Sequence, residues 1–461
     1  MKISIFYTND IHCEYEPLAG LATYIFENMT ANDLLFDGGD FCDLKSLLIQ
    51  GTDGLAAIDI MKMMKYDAMV VGNNEIDLEH DKLSNLANHD FPILSCNITA
   101  NDGSKIDHII PSLIIERANI RFLVIGVSPY YSINLTPNKY NTFFAMGNIT
   151  TLEPVELIRK EIAKNQTKYD ICILLSHSGF MAEEYILNQI PEIDLCLGGH
   201  SHTKVEELMR INKSYYLQTG KYAEGIGRID LKISDRKIIN ISGKCLNNDF
   251  PLNLALINLL KSEEEIAIKA MDRTLYTIKP LAWNPYRESE LINFICDALY
   301  FEYDCDFTMM HAGIVNSAIE GDISKLRLLK LSPSKLNPTR ITLFGKQIIE
   351  AVKLSFDEQV IKQAGKGAGF RGDVLGTLGF SHNVKINAHT YEVFINDKKV
   401  ENELRYVCVT DDYLQRGTGY HCLKVADQDA YFYHGFIRDL LERELNNPDC
   451  WKTCQLKRII D

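Results

Sequence analysis

The stretch KISIFYTNDIH, Lys2 to His12, decides how the first half of the chain is read. KISIFY is a β-rich apolar run, and it gives way at once to a polar end carrying Asp10 and His12. Four more runs end the same way: LLF leads into DGGD and Asp40, DAMVV into GNNE and Asn73, ICILL into SHSG and His177, and DLCLGG into HSH with His200 and His202. Several of these runs are apolar throughout, as strands covered on both faces should be. Between them, PLAGLATYIFENM, DGLAAIDIMKMMKY, EPVELIRKEIAKN and EEYILNQI carry helical spacing, so the segment reads as a layered α/β domain. In such a sheet the carboxyl ends of the strands share one edge, and side chains far apart in sequence can converge there. A lone His after a strand is ordinarily a hydrogen-bonded surface residue. Five glycine-rich or small polar strand ends, each delivering Asp, Asn or His, point instead to a metal site. Carboxylates with imidazoles suit Mn, Fe, Zn, Ni or Co, with too little sulfur for a thiolate site and too much nitrogen for a Ca or Mg cage.

The bounds agree with a globular protein. A chain of 461 residues fits two domains of roughly 200 residues each, and 46% hydrophobic with 24% charged residues is an ordered composition. A formal charge of −14, with no Lys/Arg block, gives no electrostatic reason for a nucleic-acid polymer as partner. Twelve cysteines are scattered without a CxxC pair, so reduced, buried thiols are expected. MKISIFYTND turns polar too early for a signal segment, and no later run approaches a membrane span, so a cytoplasmic protein without a membrane partner is expected. GTDG, GKGAG and RGTG lack the form of a Walker-type phosphate loop. Beyond Asp235 the alternation gives way to NNDFPLNLALINLLKSEEEIAIKAM, which has helical spacing. The expected organisation is a first domain over 1–250, a linker helix over 251–282 and a second domain over 283–461.

The polar ends TNDIH, GGD, GNNE, SHSG and GHSH stand in the order of a known motif set, and RESELINFICDAL, HAGIVNSAIEGDI, LFGKQIIEAV and VTDDYLQRGTGY extend the likeness into the second half. The chain resembles the metallophosphoesterases, and within them the bacterial 5'-nucleotidase/UDP-sugar hydrolase family. The resemblance implies an α/β plus α/β architecture: an N-terminal four-layer αββα metallophosphoesterase sandwich followed by a mixed α/β 5'-nucleotidase C-terminal domain for substrate recognition. It implies two divalent metal ions, with manganese expected and Zn, Fe, Ni or Co as alternatives. Asp10, His12 and His202 would hold one, Asn73, His177 and His200 the other, and Asp40 would bridge them. A hydroxide activated by the pair would attack a phosphoester. The imidazoles need acceptors on their other nitrogens, for which Asp194 and Glu224 are candidates.

Three substrate-facing positions depart from the family. Asn74 stands where the family has a His beside the substrate phosphate, although the acid that orients that His is kept as Asp77. An amide can donate a hydrogen bond but cannot titrate or carry charge, so Asn74 and Asp77 are catalytic candidates in a slower hydrolase or one of altered specificity. Val315 replaces a phosphate-clamping Arg. Phe370 and Tyr413 match the two aromatics that sandwich a base, and Thr418 replaces an Asp associated with the sugar hydroxyls, with His311, Arg371 and Arg416 nearby in sequence. The expected activity is metal-dependent hydrolysis of a small-molecule phosphoester, a nucleotide or a relative of one. The alternatives are a cyclic or sugar-nucleotide phosphodiesterase and a noncatalytic nucleotide-binding metal module.

Overall fold

Side-chain alternation along the first strand sets the layering. In the computed structural model, which describes residues 1–132, 134–365, 367 and 369–460, the strand Lys2–Thr8 sends Ile3, Ile5 and Tyr7 into one apolar core and Phe6 into another. Its neighbour Leu34–Asp37 repeats the split, with Leu34 and Phe36 on the first side and Leu35 on the second. Strands sorted this way need cover on both faces.

Two six-stranded sheets supply one of those covers for each other. The first runs, edge to edge, Lys237–Asn247, Gly225–Ser234, Lys2–Thr8, Leu34–Asp37, Ala68–Val70 and Ile93–Leu94. From Lys2–Thr8 to Ile93–Leu94 the strands are parallel, and the hairpin Gly225–Asn247 closes the other edge antiparallel. The second sheet runs Met209–Ile211, Ser214–Leu217, Leu195–Leu197, Ile171–Ser176, Ile120–Val127 and Ser112–Arg117. Tyr7, Phe36 and Val70 of the first sheet share a buried core with Phe122, Leu174 and Leu197 of the second. The helices Tyr15–Asn28 and Leu55–Met64 cover the outer face of the first sheet through Leu18, Ala22, Ile25, Ile58 and Met61. Pro154–Asn165 and Phe180–Gln189 bring Val155, Ile158, Ile186 and Leu187 into the core of the second. The order is helix, sheet, sheet, helix, the four-layer sandwich that the resemblance implies, and all five chemistry-bearing loops leave the carboxyl ends of parallel strands.

The chain divides into two compact units, Met1–Ala267 and Ile268–Asp461. The division falls inside a helix, Leu254–Met271, and the next segment, Thr274–Leu281, is a strand paired antiparallel with Ile319–Ser324. The second unit is mixed α/β as expected. Its five-stranded sheet runs Leu378–Phe380, Phe307–His311, Arg405–Asp411, Pro338–Phe344 and Tyr431–Phe432, with Phe307–His311 parallel to Arg405–Asp411 and the other pairs antiparallel. Among the described residues no helix is long and apolar enough to cross a membrane.

A buried ion pair pins the end of the chain in this second unit. Arg458, 1% exposed, donates Nη2–H to Asp297 Oδ2 at 2.6 Å and further N–H groups to the carbonyls of Phe380 and Thr453. Asp297 also accepts from the Thr453 hydroxyl and the His382 amide, both at 2.7 Å. Removing the cation leaves a buried carboxylate without its counter-charge. Arg458→Met is expected to destabilise the second unit by about 3–5 kcal/mol, read as a lower urea midpoint at unchanged slope; a shift below the error of the measurement would mean that the pair does not hold this segment.

Candidate metal centre

Three of the five loops, TNDIH, DGGD and GHSH, carry their ligand residues on left-handed backbone as they leave the strand. Asp10 (φ 52°), His12 (49°), Asp40 (54°), His200 (70°) and His202 (54°) all lie in the region that L-residues avoid, at a cost on the order of 1–2 kcal/mol each. Strained residues of this kind persist only where the surroundings over-determine them. Three buried side chains do so here. Glu75 accepts the amides of Asp40 (2.9 Å), Cys42 (2.9 Å) and Gly72 (2.8 Å), tying the DGGD and GNNE loops together. Asn9 holds Asp10 Oδ2 at 2.7 Å, donates to the Gly220 carbonyl, and accepts from the Thr219 amide and hydroxyl. Glu183 accepts the amides of Ser178 and Gly199 and the hydroxyl of Tyr216, joining the SHSG and GGH loops. Two glycines are sterically required: a Cβ at Gly72 would lie 2.3 Å from Asp40 Oδ1, and one at Gly39 (φ 85°) 2.8 Å from His177 Nδ1.

The result is two groups of ligand atoms. Asp10, His12 and His202 form one, and Asp40, His177 and His200 the other, with the ligand atoms of each group within 4.8 Å of one another. In the first, His202 Nε2 lies 3.3 Å from Asp10 Oδ1 and 3.2 Å from His12 Nε2. In the second, Asn73 Oδ1 lies 2.8 Å from His200 Nδ1. Asp40 Oδ2 stands between the groups, 3.2 Å from His177 Nε2 and 3.7 Å from His12 Nε2. The seven side chains named from the sequence are thus brought together from both sheets.

Charge and hydrogen bonding show what the space is fit to hold. Burial opposes ionisation of Asp10, but His177, His12 and His202 hold its carboxyl far below the usual range; burial likewise opposes that of Asp40, against which His177 and His12 act. Burial opposes the imidazolium forms too, yet Asp10, Asp43 and Asp40 raise His12 to about 9, and Asp40 with Asp10 raises His177 to about 10. His200 goes the other way, to about 4, through burial and the neighbouring His177 charge. The two buried carboxylates call for positive charge beside them. Among the described residues, buried Asp10 Oδ1 and His177 Nε2 make no well-aligned hydrogen bond, although His202 Nε2 and Asp40 Oδ2 lie 3.3 and 3.2 Å from them, a costly state for polar atoms unless a cation faces them. The donor set of carboxylate, amide oxygen and imidazole fits borderline divalent ions, and two sites for them are present.

The outer acceptors differ from those expected. His177 Nδ1–H donates to the Gly38 carbonyl at 2.6 Å, leaving Nε2 for a metal, and His200 Nε2 hydrogen-bonds the Tyr140 hydroxyl at 2.9 Å, leaving Nδ1. His12 Nδ1 lies 3.7 Å from Asp43. Asp194 instead accepts the Cys172 amide and Glu224 the Lys221 amide; both are occupied as ordinary turn and strand-end acceptors. Asn74 is buried with its side chain on Asp40, and Asp77, half-buried, caps the short helix Asn73–Ile76.

In the second unit, Phe370, Tyr413 and Thr418 do come together, but the rings lie on each other. Their centroids are 4.8 Å apart at 30°, both rings are buried, and His311 packs 5.3 Å from each. A base between them would need roughly twice the 3.5–4 Å contact distance. Thr418 is half-buried and donates its amide to the Tyr413 carbonyl at 3.4 Å, and Val315 is core. His311 Nε2 pairs with Asp411 at 3.0 Å.

Comparison with known proteins gives the same division. Residues 3–204 match the calcineurin-like phosphoesterase family, and 273–425 match the 5'-nucleotidase C-terminal domain. The chain has a calcineurin-like dimetal metallophosphoesterase fold with a 5'-nucleotidase-like C-terminal domain. It is 26% identical to the uncharacterized metallophosphoesterase YunD of Bacillus subtilis, over 98% of this chain and 99% of that protein. The trifunctional nucleotide phosphoesterase YfkN of the same organism is 25% identical over 85% of this chain, which spans 30% of that longer protein. Among solved structures, the NAD nucleotidase NadN of Haemophilus influenzae superposes with a TM-score of 0.63 at 14% identity, over 97% of this chain and 96% of that one. This fold, carrying these Asp/His clusters, is that of a metallophosphoesterase-type hydrolytic enzyme acting on phosphoesters.

Glu75, like Asn9 and Glu183, is a residue at this centre that sequence reading passes over, and it has a direct test. Burial raises its carboxyl to about 7, with Asp40 adding to the effect. Glu75→Gln turns an NH2 toward backbone donors and is expected to cost about 1–3 kcal/mol in metal-free stability and to lower bound manganese per chain, measured by denaturation and elemental analysis. Unchanged values in both would show that the loops do not depend on this carboxylate.

Proposed function

We propose that the protein is a manganese-dependent phosphohydrolase of nucleotides or closely related phosphoesters, working in the cytoplasm. The observation that carries this reading is the position of Asp40 Oδ2 between the two ligand groups. On this reading Asp10, His12 and His202 hold one ion, Asn73, His177 and His200 the other, and Asp40 both. When bound, two divalent ions supply an activated water and neutralise charge on the phosphoryl oxygens. The chain's own contribution is orientation and a fixed charge balance. Gly38 and Tyr140 fix the rings of His177 and His200, Asn9 fixes Asp10, and Asn73 adds a ligand oxygen without adding negative charge.

The nucleotide preference is supported by the second unit's kinship and by Phe370, Tyr413 and Thr418, which this reading assigns to the base and sugar; the two rings must part to admit a base. The division proposed is a first domain over 1–250, a linker over 251–282 and a recognition domain over 283–461; the linker holds the helix Leu254–Met271 and ends in the strand Thr274–Leu281, whose pairing with Ile319–Ser324 ties it to the second unit. Twelve free thiols, most of them buried, support a reducing compartment.

The test is turnover with manganese on an aryl phosphate monoester, an aryl phosphodiester, and a panel of nucleoside mono- and diphosphates, cyclic nucleotides and nucleotide sugars. Metal-dependent release of phosphate from the aryl monoester and from nucleotides is expected. Turnover confined to diesters would replace this reading with a phosphodiesterase. No turnover by protein shown to hold two metals would replace it with a noncatalytic metal module.

A further inference from the structure

Asn74 is the second residue of the short helix Asn73–Ile76 and is 3% exposed. Its backbone N–H donates to Asp40 Oδ1 at 2.8 Å and its side-chain NH2 to Asp40 Oδ2 at 2.7 Å. One residue therefore grips both oxygens of a single carboxylate. The two bonds fix rotation of the Asp40 carboxyl about its last side-chain torsion, which is otherwise broad. The orientation they select puts Oδ2 within 3.2 Å of His177 Nε2 and 3.7 Å of His12 Nε2. The same NH2 lies 3.5 Å from His12 Nδ1, so it stands beside a ligand of the first group while holding the residue shared with the second.

We propose that Asn74 is a positioning residue for Asp40, setting the plane of the carboxylate that two cations share. This rests on the reading of Asp40 given above, and it changes what the asparagine at this position is for. A neutral amide suits this role because it donates to a carboxylate without bringing in positive charge that would compete with the metals. A protonated imidazole in the same place would do so. The residue acts on metal binding, and through it on turnover.

The expected effect of removing this outer partner is about 10–100-fold weaker metal binding. Asn74→Ala and the parent are dialysed against graded manganese concentrations, and bound manganese per chain is measured by elemental analysis, with aryl phosphate turnover followed over the same range. The variant is expected to need about 10–100-fold more manganese for half-loading, and raising manganese is expected to recover turnover. Manganese binding equal to the parent's, with turnover depressed at every concentration, would overturn the proposal and assign the amide to the substrate. Asn74→Leu, close in volume and without a donor, is read in the same dialysis and decides the matter if the alanine variant does not fold. Because metal content is measured apart from hydrolysis, a parent that turns over nothing would end the hydrolase reading, while weakened manganese binding in the variants would still uphold this one.

Discussion

Two carboxylates, Asp10 and Asp40, are buried at neighbouring strand ends, and the cost of hiding their charge governs everything packed around them. Protein donors hold Asp10 by Oδ2, from Asn9 and the His200 amide, and Asp40 by both oxygens, Oδ1 from the Asn74 amide and Oδ2 from the Asn74 side chain. Asp10 Oδ1 and Asp40 Oδ2 also face imidazoles. That geometry explains why His12 and His177 are drawn toward their charged forms against their burial, while His200, buried and beside the His177 imidazole, is pushed away from its own. Positive charge is required at two points, and protons or metal ions can supply it.

The fold meets this requirement through strain shared among loops. Five of the seven side chains at the centre sit on left-handed backbone, and no single loop could keep that geometry alone. Glu75, Asn9 and Glu183 each accept or donate across two loops, so the strain of one turn is opposed by bonds to another. The parallel strands contribute a common edge, and the buried side chains between the loops turn that edge into a site.

Much of this is legible in the sequence. Asp, Asn and His at the ends of apolar runs are conspicuous because nothing in a strand end requires them, and the seven lie together at the strand ends of the two sheets. The tying residues are harder to see, since a carboxylate that accepts amides from segments 33–35 positions away leaves no local mark. Glu183 does carry a signal: it shares a helical face with Ile186, Leu187 and Ile190, all buried, which makes a charge there anomalous. The second unit shows the opposite limit. Phe370 and Tyr413 can be named from motif order, but whether a gap separates two rings is a matter of tertiary packing. Motif order likewise points Asn74 toward substrate but says nothing of its bond to Asp40, which depends on the turn at Gly72, where the absence of a Cβ lets Asp40 approach.

If seven side chains from two sheets form one centre for two cations sharing Asp40, anomalous diffraction from a crystal of the parent protein soaked in manganese tests it most directly. Two peaks about 3.5–4 Å apart are predicted, one among Asp10, His12 and His202, the other among Asn73, His177 and His200, with Asp40 touching both. A single peak, or two peaks of which one lies away from Asp40 while all seven side chains are ordered, would contradict it.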